Sequence, residues 1–309
     1  MIAPGEDGTI PAALYLQGEL ERVQAVYHWR ELDDEIRAAQ GCPAYHLPTM
    51  AYEFHDVDVA DACLYVKASQ VQAGFGTPGW VTRGSVTHIE EAELISTPGG
   101  SYYFANHMID DYPLELMIAD HALPSLRLPT KPYHHDPGYR QIMNLPSSES
   151  LTHAYIEKLI VYRDSGQNSH KRERYIELRK RLRERVSGQG AKMVYLKRGS
   201  TGEARLVSNE HEVEERLVSL GFVVVEPEDL STMDIVRLTL DSDLVVSVEG
   251  SHIANIAYSM SPKGTLLVLQ PPDRFALHMK EMADAMGIRF AFIVGEADEG
   301  GFRVKHWLA

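Results

Sequence analysis

Five short apolar runs in the second half of the chain constrain its fold more than any other feature. They are MVYLK (Met193 to Lys197), GFVVV (Gly221 to Val225), DLVVSV (Asp243 to Val248), TLLVLQ (Thr265 to Gln270) and RFAFIV (Arg289 to Val294). Each is nearly continuous rather than alternating, as parallel strands covered on both faces must be. Helical segments fall between them. Val213, Leu217 and Leu220 share one face of a segment that Gly221 closes. Ser231 and Asp234 form a capping box ahead of Ile235 and Val236. Ala276, Met279 and Met282 or Ala283 line a further helix that ends near Gly287. Strands alternating with helices at this spacing predict a doubly wound parallel α/β sheet.

The first half is less regular. AYEFHDVDV (Ala51 to Val59) and ACLYVKA (Ala62 to Ala68) read as partly alternating strands, and EKLIVYRD (Glu157 to Asp164) as another. Thr97 to Asp120 opens on a glycine turn and continues as a helix that Pro113 interrupts. A long helix follows from His170 to Val186, with Tyr175, Leu178, Leu182 and Val186 on one face. Its eight Lys or Arg residues, interleaved with glutamates, read as a solvated face, or else as a contact for an anionic acceptor or a lipid surface. A chain of 309 residues, 44% hydrophobic, holds one large domain or two ordinary ones. The expected boundary lies between Leu145 and Gly166, giving domains 1–155 and 156–309.

The net charge of −14 argues against a nucleic-acid partner, because phosphate neutralisation supplies most non-specific affinity. An anionic ligand needs a local positive site against that background. The two cysteines, Cys42 and Cys63, lack the spacing of a zinc site or a disulfide framework. The N-terminal residues lack a signal-peptide pattern, and no uncharged apolar stretch is long enough to span a bilayer. The expectation is a soluble, cytoplasmic protein of open oligomeric state.

Three stretches carry candidate chemistry. In VEGSHIANIAY (Val248 to Tyr258) a strand ends in Glu249, and Gly250 permits a tight turn into a helix whose first N–H groups belong to Ser251, His252 and Ile253. Such a turn suits a phosphate, with Ser251 and His252 as further donors. Glu249 suits a ribose diol better than a phosphate. The same residues also fit an ordinary strand-to-helix turn with Ser251 as N-cap. In VYLKRGSTGEARLVSNE (Val194 to Glu210), Lys197 and Arg198 end a strand and a Gly/Ser/Thr-rich loop leads to Arg205. Lysine and arginine there suit a diphosphate, and equally a solvated loop. In NHMIDDYPLE (Asn106 to Glu115), helical spacing puts His107, Asp110 and Asp111 on one face, where a general base or a capped structural helix is equally served. FHDVDVADA and PYHHDPG, with His134, His135 and Asp136, lack the spaced partners of a metal site.

The run from Tyr195 to Pro272 resembles the C-terminal half of glycosyltransferase family 61. It shows in order that family's strand ending in an arginine, its "N-E-x-E-V" helix start, its "G-F-x-V-V-x-P-E-x-L-S", its "(H/E)-G-(A/S)" turn and its "P-x-G-(S/T)-x-V-(I/L)-(E/V)-L". YYFANHMIDDYPLEL (Tyr102 to Leu116) is similar to the family's "Y-Y-H-W-L-x-(D/E)-x-L-P-R-L", with His107 near its histidine, Pro113 near its proline and Asp110 or Asp111 at its acid. The resemblance covers about Ala51 to Gly295. Two departures stand out. Glu249-Gly250-Ser251-His252 stands where many members have His-Gly-Ala-Gly, its Glu-Gly-Ser form resembling that of bacterial relatives, and Pro113-Leu114-Glu115 lacks the usual arginine.

The resemblance implies a GT-B-like architecture of two Rossmann-like domains, each with a doubly wound parallel sheet, and a cleft between them. It implies an inverting glycosyltransferase that needs no metal or cofactor. A nucleotide-sugar donor, expected to be UDP-linked, would be held by Lys197, Arg198, Arg205, Glu249, Gly250, Ser251, His252 and Asn255. Asp110, Asp111 or His107 would activate a hydroxyl of a glycan or small-molecule acceptor, with surface polysaccharide synthesis as the setting. A sugar-nucleotide epimerase or hydrolase, or a non-catalytic nucleotide-sugar-binding subunit, would fit the same frame.

Overall fold

The computed structural model describes residues 1–76, 86–146, 150–199 and 205–305. The chain forms two compact units, Met1–Glu6 with Tyr45–Arg181, and Asp7–Ala44 with Leu182–Ala309. The division expected at 155/156 is therefore corrected in two places: residues 156–181 stay with the first unit, and residues 7–44 join the second.

In the first unit, strands β1 (Met50–Ala60), β2 (Cys63–Val66), β3 (Ser69–Gln72), β4 (Thr87–Leu94), β5 (Ser125–Leu126) and β6 (His153–Arg163) form a six-stranded sheet of the described residues. The order is β3-β2-β1-β6-β4-β5. Pairings β1–β2, β2–β3 and β1–β6 are antiparallel, and β4–β6 and β4–β5 parallel. A second doubly wound parallel sheet was expected here, and the mixed sheet corrects it. The reason is local: two tight turns, with Asp61 (φ 51°) and Lys67 (φ 54°) in the left-handed region, reverse the chain between β1, β2 and β3. Reversals this short join only antiparallel strands. Strand β6 pairs on both sides, with β1 and β4, which is why it cannot belong to the second unit. The core beneath the sheet is Val57, Val59, Ala92, Leu94, Leu128, Ile156 and Leu159.

The segment after β4 is not one helix. It runs through α1 (Pro98–Tyr102), a π-turn (His107–Asp111) and α2 (Tyr112–Ile118). Pro113 has no N–H to give the carbonyl one turn back, that of Ile109. The hydroxyl of Tyr175 supplies the donor instead, at 2.8 Å. Two further helices complete the unit's surroundings, α3 (Asp136–Met143) and α4 (Ser169–Arg185). Helix α4 buries Tyr175, Leu178 and Leu182, followed by Val186, as its spacing predicts.

In the second unit, β7 (Met193–Leu196), β8 (Val223–Val225), β9 (Leu244–Val248), β10 (Thr265–Gln270) and β11 (Arg289–Val294) pair in parallel in the order β8-β7-β9-β10-β11. Both faces are covered, since Val245, Val246, Ser247 and Val248 are buried in succession. Helix α5 (Glu210–Ser219) packs Val213 and Leu217 on Tyr195, Val246 and Val248. Leu220, expected on that face, lies past the helix end and is exposed. Helices α6 (Thr232–Thr239) and α7 (His278–Ala285) follow β8 and β10. The Ser231 side chain accepts from the Asp234 N–H, the expected cap.

Residues 7–44 shield the open edge of this sheet. The N–H of Leu14 donates to the Phe290 carbonyl (2.9 Å) and that of Phe292 to the Leu14 carbonyl (3.0 Å). The buried carboxylate of Glu19 accepts from the Val294 N–H at 2.6 Å, and Glu35 from the Leu277 N–H at 2.7 Å. An edge strand otherwise offers unpaired backbone groups to other chains. Replacing fully buried Leu217 with alanine should cost about 2–5 kcal/mol through lost contacts and a residual cavity. Urea unfolding of the second unit reads this as a lower midpoint.

Candidate active site

The π-turn divides the three residues that helical spacing groups on one face. Asp111 turns inward and is fully buried. Its carboxylate accepts from the Thr97 N–H (3.1 Å) and hydroxyl (2.7 Å) and faces His107 Nδ1 at 3.1 Å. Gly100 makes this approach possible, because a Cβ there would lie 2.3 Å from Asp111 Oδ1. His107 Nε2 meets Asp136 Oδ1 at 2.7 Å, and the Tyr112 hydroxyl and Arg140 Nε donate to the same oxygen at 2.8 and 3.1 Å. Arg127 pairs with Glu115, which Arg140 also holds. These named groups balance when His107 is an imidazolium: three carboxylates against two guanidiniums and one imidazolium. Burial works against a proton on His107, but the hydrogen bonds it donates to Asp111 and Asp136 outweigh it and raise its pKa. Burial likewise works against the charged form of Asp136, yet His107 and Arg140 hold its carboxyl below the usual range.

Asp110 faces elsewhere. Its Oδ1 accepts from Lys171 Nζ at 2.7 Å and its Oδ2 from Asn106 Nδ2 at 2.9 Å. Its side chain keeps 22% of its surface exposed, whereas those of His107 and Asp111 keep 1% and none. Lys171 is fully buried and also donates to the Asp164 carbonyl at 2.8 Å, while Arg174 grips the Asp164 carboxylate at 2.8 and 2.9 Å. The basic helix read as a solvated face therefore sends two cations into the interior. Asp136, Lys171, Arg127 and Glu115 had no distinguishing spacing. The one available signal was Asp136-Pro137-Gly138, a helix start that aims an acidic side chain at a first turn.

In the second unit, the strand order reverses between β7 and β9, and ligands of open parallel sheets sit at such a point beyond the carboxyl ends. Arg198 follows β7 and Glu249 follows β9, so the fold brings them together. The Arg198 guanidinium donates to the Glu249 carbonyl at 2.9 Å and passes so close to Gly250 that a Cβ there would lie 1.7 Å from it. Arg205 Nε lies 2.6 Å from Glu249 Oε2, so the two residues expected to take diphosphate and ribose separately pair with each other. Lys197 is committed to Glu214 (3.1 Å) and Glu226 (3.5 Å). Residues 200–204 of the Gly/Ser/Thr-rich loop lie outside the described residues.

Ser251 opens a six-residue 3-10 helix, Ser251–Ile256, in place of the expected α-helix, and Asn255 is buried with its amide donating to the His252 carbonyl at 2.8 Å. The Ser247 hydroxyl donates to the Leu196 carbonyl (2.8 Å) and therefore accepts from His252 Nε2–H, also at 2.8 Å. That leaves Nδ1 as a buried lone pair without a hydrogen-bond donor. Burial, with Arg198 and Arg205 adding to it, depresses the His252 pKa to about 3. His252 is thus neutral, and its ring N–H is engaged by Ser247. Among the described residues no group of three or more His, Cys, Asp or Glu side chains converges on a metal position.

Residues 85–268, more than half of the chain, match the Glycosyltransferase 61 family. The chain belongs to that family. It is a glycosyltransferase, and its reaction joins a nucleotide-activated sugar donor with an acceptor. The matched span runs from β4 through β10, so it holds His107, Asp110 and Asp111 together with Arg198, Arg205 and Glu249. A comparison with curated proteins gives no match. No helix among the described residues is long and apolar enough to cross a membrane.

In this glycosyltransferase His107 and His252 give opposite pH signatures. With its folded pKa raised above 6.5, His107 contributes stability fully below pH 6.5 and loses it as pH rises through the folded value. His252, depressed to about 3, costs stability as pH falls from 6.5 toward 3. Denaturant titrations across pH should show His107→Gln removing the decline above pH 6.5, and His252→Asn reducing the loss below it.

Proposed function

We propose that the enzyme is an inverting glycosyltransferase whose donor diphosphate is held by Arg198 and Arg205 beside the Glu249–His252 turn, without a catalytic metal. The observation that supports it most is the convergence of two arginines on a neutral, buried His252 at the reversal point of the parallel sheet. An acidic chain with a concentrated positive field at that edge suits an anionic ligand. In the donor complex, Glu249 exchanges part of its contact with Arg205 for the ribose hydroxyls, and the freed guanidinium fork takes phosphate oxygens. The expected donor is UDP-linked, and the acceptor is a hydroxyl of a glycan, in keeping with surface polysaccharide synthesis in the cytoplasm.

Asp110 is the base in this reading. Both ring nitrogens of His107 are engaged by carboxylates, and Asp111 is sealed behind Thr97 and Gly100. A carboxylate oxygen of Asp110 retains lone pairs beyond those used by Lys171 and Asn106. The acceptor proton passes to Asp110 as the acceptor oxygen bonds to the anomeric carbon. The bond from that carbon to the β-phosphate oxygen breaks, and its electron pair leaves with the nucleoside diphosphate, stabilised by Arg198 and Arg205.

Asp110→Asn should lower kcat by about 10²–10⁴-fold with donor affinity unchanged. Asp111→Asn should act chiefly on thermal stability. Turnover of the Asp110→Asn enzyme within a few-fold of the parent would remove Asp110 from the role. For the donor, UDP, GDP, CMP and dTDP are titrated with EDTA present. A nucleotide at a hundred times its Kd adds about 2.7 kcal/mol, enough to raise Tm by a few degrees. The Arg205→Ala variant should lose that rise, and a parent that responds to no nucleotide overturns the donor site.

A further inference from the structure

Residues Gln24–Arg30 and the loop after β10 lie outside the span that matches the family, yet they are built together at the same sheet edge as Glu249. The Tyr27 N–H donates to the Phe275 carbonyl (3.1 Å), the Phe275 N–H to the Ala25 carbonyl (2.9 Å), and the Gln24 N–H to the Pro272 carbonyl (2.7 Å). On this support the Arg274 guanidinium lies over the Tyr27 ring, 4.2 Å from its centroid. Tyr27 is buried, with the rings of His28 at 4.3 Å and His278 at 5.6 Å. Arg274 is half-buried, and Asp273 and His28 are exposed. With Val26 and Tyr27 these residues line an open depression of about 340 Å³.

The loop that lines the depression follows the strand next to the one that ends at Glu249. Strand β10 pairs directly with β9, and the Glu249 N–H donates to the Leu269 carbonyl at 3.0 Å. The loop carrying Asp273 and Arg274 thus starts about one strand spacing, ~4.8 Å, from Glu249. Charge connects the two places as well. Arg205, the partner of Glu249, also acts on His278, where burial, Arg30 and Arg274 combine with it to depress the pKa to about 4. Arg205 and Arg274 therefore both lie within electrostatic reach of His278, while Arg30 is paired with Glu35 (3.5 Å) and Glu281 (2.8 Å).

We infer that the Arg274–Tyr27 stack holds the nucleobase of the donor, so that a chain segment outside the family-matched span completes the nucleotide site. This rests on the donor site proposed above. Guanidinium and tyrosine planes are surfaces on which bases stack, and Arg274 and Tyr27 both line the depression. Because Tyr27 already holds Arg274, little ordering cost remains at binding.

The test is calorimetric titration of the full chain with UDP, GDP, CMP and dTDP, with inorganic pyrophosphate titrated as a competitor. Arg274→Ala and Arg274→Lys should each weaken the tightest nucleotide about tenfold and leave pyrophosphate within twofold, at an unchanged Tm. The lysine variant keeps the charge and removes the plane. Unchanged nucleotide affinity in both variants overturns the inference, as does an equal loss for nucleotide and pyrophosphate. A raised acceptor KM with unchanged nucleotide affinity also overturns it and gives the platform to the acceptor. A parent that binds neither nucleotide nor pyrophosphate removes the donor site itself. A parent that binds nucleotide while both variants match it removes only the role of Arg274.

Discussion

Parallel pairing of five strands in the second unit decides where its chemistry can be. Each parallel step needs a long crossover, so every carboxyl end emerges on one edge. The chain steps from β7 outward to β8 and returns to β9 on the other side of β7. The loops after β7 and β9 then part at the reversal, and the crevice between them is lined by whatever residue ends each strand. Those residues are Arg198 and Glu249, with Asp273 and Arg274 one strand further on. Burial of Val245, Val246 and Val248 fixes the sheet, and the sheet fixes the site.

A carboxylate as buried as Glu249 needs a partner, and Arg205 supplies it at 2.6 Å. Burial, with Arg198 and the same arginine adding to it, keeps His252 uncharged. The turn thus sets two guanidiniums beside a buried, neutral imidazole, and the proposed diphosphate would bring them negative charge. That is the physical link between the fold of the second unit and its proposed ligand.

The first unit solves a different problem, a buried polar cluster. His107, Asp111, Asp136, Glu115, Arg127 and Arg140 satisfy one another, so none is left as an isolated buried charge. The π-turn ahead of Pro113 makes this possible by rotating Asp111 toward His107 while Asp110 turns to Lys171. Two adjacent aspartates of the same local sequence thus acquire unlike roles, one structural and one accessible.

The parallel sheet was legible in the amino-acid order, because continuous apolar runs spaced by amphipathic helices admit few other folds; Thr265–Gln270 and Arg289–Val294 match their predicted limits. Partial alternation in AYEFHDVDV indicated a strand but not its pairing, and the left-handed turns at Asp61 and Lys67 that make the pairing antiparallel became visible only in the structure. Arg198, Glu249 and Gly250 were readable as site candidates, since residues ending parallel strands have few positions open to them. The pairing of Glu249 with Arg205, the diversion of Lys197 to Glu214, and the burial of Lys171 were not readable. Such contacts join residues distant along the chain and depend on side-chain direction and desolvation. Sequence by itself determined the apolar periodicity and hence the sheet edge where a ligand belongs. Only the tertiary structure decided which charges face that edge, because a charge's partner is set by proximity in space and not by spacing along the chain.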